Sequence, residues 1–182
     1  MKIEGRGQGK IITEAEEQML FRIGFDSPRD RLIFAFCLYA GLRISESLSL
    51  KQSDVVSDWV LLRRENAKGK KAGRCLPISP KLQSYINDYN APKNHELMFP
   101  GRFLNKPLTR AQADVVLKRA LDKTGLVGIS THSFRRTCLT RMHRAGVSLR
   151  TIKKISGHSS LERLYLYLEV SEEELTNAVS TI

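Results

Sequence analysis

Asp30-Arg31-Leu32-Ile33-Phe34-Ala35-Phe36-Cys37-Leu38-Tyr39-Ala40-Gly41-Leu42-Arg43-Ile44-Ser45-Glu46 is the stretch that decides how this chain folds. From Asp30 to Tyr39 the apolar residues run nearly all round a helix, which marks a central buried helix instead of a surface one. Gly41 breaks it, because glycine enters the left-handed region without a steric penalty. Ile44, Leu48 and Leu50 then predict a short second helix with Arg43 at its start, where backbone donors favour anions. Arg43 and Glu46 also stand three apart, the spacing of an ion pair on a helix.

Working outward, Thr13-Glu14-Ala15-Glu16 is a capping box that opens an amphipathic helix through Met19, Leu20 and Ile23. Asp26-Ser27-Pro28 restarts the chain ahead of the central helix. Downstream, Trp59-Val60-Leu61-Leu62 and Arg74-Cys75-Leu76-Pro77-Ile78 read as two strands, joined by a Lys/Gly-rich turn over Asn66 to Gly73. Ser79-Pro80 starts a helix to about Tyr89, and Asn90 to Pro107 is a proline-punctuated loop. Thr109 to Lys123, Ser133 to Ala145 and Ser148 to Ile155 return to helical spacing. Ser171-Glu172-Glu173-Glu174 is a second capping box for a final helix. The expected class is α+β: one mostly α-helical domain with a small antiparallel β-sheet.

Charge narrows the partners. The 182 residues hold 30 Lys+Arg against 19 Asp+Glu, a net charge of +11 with pI near 9.8. From Lys123 to Leu161 there is no acidic residue, while Lys123, Arg135, Arg136, Arg141, Arg144, Arg150, Lys153 and Lys154 are basic. A one-signed stretch within a helical pattern reads as a surface for phosphates. Cys37, Cys75 and Cys138 fit neither a zinc spacing nor a disulfide framework, which predicts a reducing cytoplasm. The apolar run Leu32 to Leu42 is too short to span a bilayer, and Met1 to Lys10 has no signal-peptide core.

Phosphodiester cleavage needs a nucleophile, positive charge on the non-bridging oxygens and a proton for the departing oxygen. A metal nuclease would supply these through clustered carboxylates or histidines, which the basic half of the chain lacks. Arginine forks are the alternative, so no metal and no cofactor are expected. His132 and Arg135, three apart, share one face of a helix, where a histidine beside a phosphate-binding arginine is placed to accept a proton. His158 follows Gly157, and Tyr165 and Tyr167 alternate with Leu164, Leu166 and Leu168. Periodicity does not choose between a helical and an extended reading of that segment.

Ala40-Gly41-Leu42-Arg43-Ile44-Ser45-Glu46, His132-Ser133-Phe134-Arg135-Arg136-Thr137 and Gly157-His158-Ser159-Ser160, with Tyr167 nine residues after His158, resemble the catalytic domain of the tyrosine recombinase (phage integrase) family. The resemblance spans roughly Thr13 to Val170. It implies that Arg43 and Arg135 clamp the scissile phosphate, that His132 accepts a proton and that His158 contacts a phosphate oxygen. Tyr167 would be the nucleophile of a 3′-phosphotyrosyl intermediate, formed and resolved without metal or ATP. A hairpin lysine would act as acid, with Lys68 preferred over Lys70 and Lys71, and Glu46 would orient the site. Arg136, Arg141, Lys70 and Lys71 are the expected DNA contacts.

The family resemblance further implies double-stranded DNA as partner and a homotetramer on DNA, with an accessory DNA-bending protein as a candidate helper. Residues 1–12 read as a basic arm and 13–182 as the catalytic domain, with no room for the N-terminal core-binding domain of most family members. The chain is therefore either a fragment or like the short single-domain recombinases. Two rivals remain: a type IB topoisomerase-like relaxing activity, and a DNA-binding regulator on an inactive scaffold.

Overall fold

In the computed structural model, which describes residues 9–63, 73–101, 106–165, 167–168, 175–176 and 179–180, every residue from Leu32 to Leu38 is buried. They belong to helix α2 (Pro28–Tyr39), whose N-terminus is capped by Ser27 Oγ accepting from the Asp30 N–H at 3.2 Å. Pro28 occupies the first turn, where a missing N–H does no harm. Phe34 of α2 stacks on Phe25 at 4.8 Å and meets Phe134 at the same distance. Phe134 lies one residue before Arg135, so the burial of its ring sets the rotation of its helix. That burial contributes about 2–3 kcal/mol by area.

Helix α1 (Glu14–Met19) carries the expected capping box and continues as a π-helical turn, Leu20–Gly24. The extra residue in that turn shifts the phase of the inward face. Leu20, Phe21 and Gly24 are buried, while Met19 is 40% and Ile23 57% exposed. The expected apolar face of Met19, Leu20 and Ile23 is thus corrected to Leu20 and Phe21.

Gly41, at φ +65°, turns the chain from α2 into α3 (Ile44–Leu48). The sheet has three strands among the described residues, in the antiparallel order β1 (Val55–Val56), β2 (Trp59–Leu62), β3 (Arg74–Pro77). Val55 pairs with Val60 and Leu62 with Arg74. The first strand is two residues long, too short to leave a pattern in the sequence. Lys68, Lys70 and Lys71, which fall in sequence between β2 and β3, lie outside the described residues. So do Ser171 to Glu174 of the second capping box.

The remaining helices are α4 (Pro80–Asp88), α5 (Arg110–Thr124), α6 (Thr131–Arg144), α7 (Leu149–Ser156) and α8 (Leu161–Tyr165). Helix α2 packs on α6, α4 and α3, and the π turn packs on α5. A second cluster, Leu139, Ile152 and Leu164, collects Tyr167 and Leu168 and so moors the chain after α8 against α6 and α7. No helix among the described residues is long and apolar enough to cross a membrane.

The segment ahead of α1 is part of this packing. Ile12 is buried and its N–H donates to Thr137 Oγ1 at 2.8 Å. Arg136 Nη1 donates to the Gly9 carbonyl at 2.7 Å, and Arg141 Nη1 pairs with Glu17 Oε2 at 2.5 Å. The expected arm over residues 1–12 therefore ends, in its described part, as a strap bound across α6.

Candidate active site

Arg43, Ile44, Ser45, Arg110, Thr131, His132, Arg135 and Tyr167 line one cleft of about 260 Å³. Arg43 reaches it from the N-cap of α3, because Gly41 has reversed the chain just before. His132 and Arg135 reach it from the first turns of α6, three residues apart on one face. Tyr167 comes from the turn after α8, where its N–H donates to the Leu164 carbonyl at 2.8 Å and its own carbonyl accepts from Thr140 Oγ1 at 3.3 Å. Tyr165, by contrast, is in α8 and 55% exposed. The helix ends between the two tyrosines, which separates their environments.

Arg135 is the buried centre of the site, only 1% exposed. Its Nη1 donates to the Gly41 carbonyl at 2.6 Å and its Nη2 to the Ser156 carbonyl at 2.7 Å. Its Nε–H is buried with no hydrogen-bond partner among the described residues. Such an orphan donor costs about 1–3 kcal/mol unless a ligand satisfies it. The guanidinium carbon lies 5.7 Å from the centre of the Tyr167 ring, within cation–π range. Burial, then the charge of Arg43, lowers the Arg135 pKa to about 10, which leaves it a cation at neutral pH.

Glu46 binds the cations together from beneath. Its carboxylate accepts from the Arg43 N–H at 2.8 Å, Arg43 Nη1 at 2.9 Å, Arg74 Nη1 at 3.1 Å and Arg74 Nη2 at 2.9 Å. Arg135 Nη1 stands 3.8 Å away. Burial alone would raise the Glu46 carboxyl, but the hydrogen bonds and charge of Arg74, with those of Arg43, outweigh it and hold it below the ordinary range. Three guanidiniums around one carboxylate leave the site net positive, an electrostatic trap for an anion.

His158 follows Gly157, whose φ of +65° ends α7. A Cβ on Gly157 would stand 2.9 Å from Arg74 Nη1, so a side chain there would strain the turn and displace an arginine tip that Glu46 and the Ile155 carbonyl hold. The His158 ring packs on Tyr167 at 4.8 Å between centroids, tilted 49°. Its Nε2 is 3.3 Å from Arg135 Nη2 and its Nδ1 is 2.8 Å from Ser156 Oγ. Burial, then the charges of Arg135, Arg43 and Arg74, push its pKa down to about 3, so it is neutral at physiological pH.

Of the residues singled out from sequence, Arg43, Glu46, His132, Arg135, His158 and Tyr167 thus come together. Lys68, Lys70 and Lys71 lie outside the described residues. Arg136 and Arg141 were expected to face DNA, but their described contacts bind the segment Gly9 to Glu17. Sequence reasoning missed Arg74, Arg110 and Ser156. Arg74 looks like any first residue of a strand, and only its bonds to Glu46 and to the Ile155 carbonyl at 2.8 Å give it away.

The fold is that of tyrosine recombinase catalytic domains. The chain belongs to the phage integrase family, whose profile matches residues 10–174. It is 34% identical over 145 residues to the putative integrase/recombinase y4qK of Sinorhizobium fredii, covering 79% of this chain and 47% of that protein. Identity to the tyrosine recombinase XerA of Thermococcus kodakarensis is 31% over 178 residues, covering 95% and 62%. The chain therefore spans about half to two thirds of the length of these curated relatives. A crystal structure of XerA recombinase matches with a TM-score of 0.79 at 19% identity, covering 96% of this chain and 65% of the other. XerH site-specific recombinase, in its post-cleavage complex with a palindromic difH substrate, matches with a TM-score of 0.76 at 20% identity, covering 99% and 55%. Homologues thus bind DNA.

Proposed function

We propose that this domain cuts a DNA strand with Tyr167 and rejoins it, as the chemical step of site-specific recombination. The observation that carries the reading is the Tyr167 ring, seated against His158 and beside the buried Arg135 with its unpartnered Nε–H, in a cleft shared with Arg43 and His132. A nucleophile, a proton acceptor and fixed positive charge in one small cleft are the parts an in-line attack on phosphorus requires.

In this reading Arg43 and Arg135 hold the two non-bridging oxygens of the scissile phosphate. His132 takes the phenol proton as Tyr167 Oη attacks. The new bond is a 3′-phosphotyrosyl ester, and the bond from phosphorus to the 5′ oxygen breaks. That oxygen leaves as a hydroxyl after taking a proton from a hairpin lysine, Lys68 first, with Lys70 and Lys71 as alternates. The phosphodiester energy is kept in the protein–DNA bond, so rejoining to a 5′ hydroxyl needs neither ATP nor a metal ion. Since Arg136 and Arg141 hold the N-terminal segment, flanking phosphates fall to Lys70, Lys71 and Arg110. Double-stranded DNA, four copies on two duplexes, an accessory DNA-bending protein and a cytoplasmic setting complete the proposal.

Covalent capture tests it. The chain is mixed with a pool of nicked suicide duplexes of randomised sequence, without magnesium, and protein–DNA adducts are resolved on a denaturing gel. An adduct is expected that Tyr167→Phe abolishes and Tyr165→Phe preserves. Loss of the adduct with Tyr165→Phe alone, or its persistence with Tyr167→Phe, would move the nucleophile elsewhere.

A further inference from the structure

Ser156 is fully buried at the end of α7 and touches both groups that back the cleft. Its carbonyl accepts from Arg135 Nη2 at 2.7 Å, and its Oγ lies 2.8 Å from His158 Nδ1 and 3.3 Å from the Lys153 carbonyl. His158 Nε2 is 3.3 Å from that same Arg135 Nη2. A neutral imidazole carries a single N–H, so the bond at one nitrogen dictates what the other can do.

With the proton on Nδ1, every hydrogen bond runs one way: Arg135 Nη2 to Nε2, Nδ1 to Ser156 Oγ, Ser156 Oγ to the Lys153 carbonyl. His158 then offers no donor to an anion. With the proton on Nε2, the Ser156 hydroxyl turns and donates to Nδ1. Nε2–H and Arg135 Nη2 then become two donors side by side, which is unfavourable until an acceptor oxygen lies against both. A phosphate oxygen in the cleft is such an acceptor.

The geometry points to Ser156 as the positioning residue that lets His158 exchange tautomers when phosphate arrives, its hydroxyl changing from acceptor to donor at Nδ1. The imidazole proton passes from Nδ1 to Nε2 through solvent, so the number of bound protons is unchanged. Only a group that both donates and accepts can serve both states, and a hydroxyl does so by rotating about one bond. The low basicity of His158, set by burial and the surrounding arginines, keeps a second proton from bypassing the exchange. The inference rests on the reading of this cleft as a phosphate site.

Long-range proton–nitrogen spectra of the full chain with ¹⁵N-labelled histidine test it, His158 being assigned against a His158→Asn variant. Nδ1–H is expected without ligand and Nε2–H with saturating inorganic phosphate. In parallel, Ser156→Ala should slow adduct formation about tenfold with unchanged affinity for the nicked duplex, and the lost hydrogen bond to His158 should also lower its folding midpoint. An unmoved proton in the wild-type chain with phosphate, or a wild-type cleavage rate in Ser156→Ala, overturns the inference. So does a loss of affinity equal to the loss of rate, which would make Ser156 merely structural. If the wild-type chain forms no adduct at all, the proposed recombinase chemistry is at fault, and the phosphate titration still decides the tautomer.

Discussion

Replacing Glu46 with glutamine should destabilise this chain more than almost any other change that leaves shape intact. The carboxylate is 1% exposed and faces the guanidiniums of Arg43, Arg74 and Arg135, whose side chains are 24%, 11% and 2% exposed. Glutamine keeps one acceptor oxygen and turns the other into a donor, so some guanidinium must face an N–H whichever way the amide turns. Removing one partner of a buried ion pair costs about 3–5 kcal/mol. Water reaches Arg43 in part, which places Glu46→Gln at the lower end, roughly 3–4 kcal/mol. At about 2–4 °C per kcal/mol for a domain of this size, Tm should fall by about 6–16 °C. Thermal unfolding measures it directly. Sulfate gives a second readout, since an anion in the cleft restores negative charge near Arg43 and Arg135. The variant should therefore gain more from sulfate than the parent chain does. A loss below about 1 kcal/mol, or an equal sulfate response, would refute the view that Glu46 holds three mutually repelling cations in place.

Acid should also weaken the fold. His158 titrates near 3 when folded against an ordinary 6.5, so the unfolded chain takes up the extra proton as pH falls below 6.5 and stability declines from there toward pH 3. Glu46 acts in the same direction lower down, its contribution being present above 4.5 and lost as pH falls through its depressed value. Urea midpoints across this range should show a slope between about pH 5 and 6.5 that His158→Asn removes. Gly157→Ala and Gly125→Ala both force alanine to positive φ, +65° and +70°, but only the first brings a Cβ to 2.9 Å from Arg74. The Gly125 change should cost about 1 kcal/mol and the Gly157 change clearly more, while equal losses would deny that Arg74 is wedged there. Arg110 is 59% exposed, lines the cleft and makes a loose 3.9 Å pair with Asp114. Arg110→Ala should weaken DNA binding and flatten its salt slope by about 0.9, with the adduct rate at saturating DNA unchanged. An unaltered slope would remove Arg110 from the DNA contacts.

The buried helix was legible because its apolar residues leave no polar face, a signal that survives any detail of packing. The cleft was legible too, since Gly41 and Gly157 mark chain reversals and the chemical groups beside them are few. What escaped reading was either too short or too indirect. The π turn after α1 changes the phase of a helix without changing its composition, so Ile23 looked like core and is exposed. The strand Val55–Val56 is a single period of alternation, so no repeat exists to be read. Arg74 meets Glu46 across 28 residues, which only the fold brings together, and Ser156 meets His158 two residues on only because the chain turns at Gly157 between them. Arg136 and Arg141 have a structural role that their charge did not reveal. Their charge suggested DNA, and a helix ten residues longer than the four-residue span from His132 to Arg135 has other faces, on which both meet Gly9 to Glu17.

Helix α6 is gripped along one flank by the strap that enters the domain, through Arg136, Thr137 and Arg141, while the opposite turns present His132 and Arg135. A rod tied in this way behaves as a lever. Tension on Gly9 to Ile12 would load that helix directly, because the ties are short hydrogen bonds involving backbone and the rod is packed through Phe134 among aromatic rings. A displacement of the strap would thus be felt first by the helix that carries His132 and Arg135.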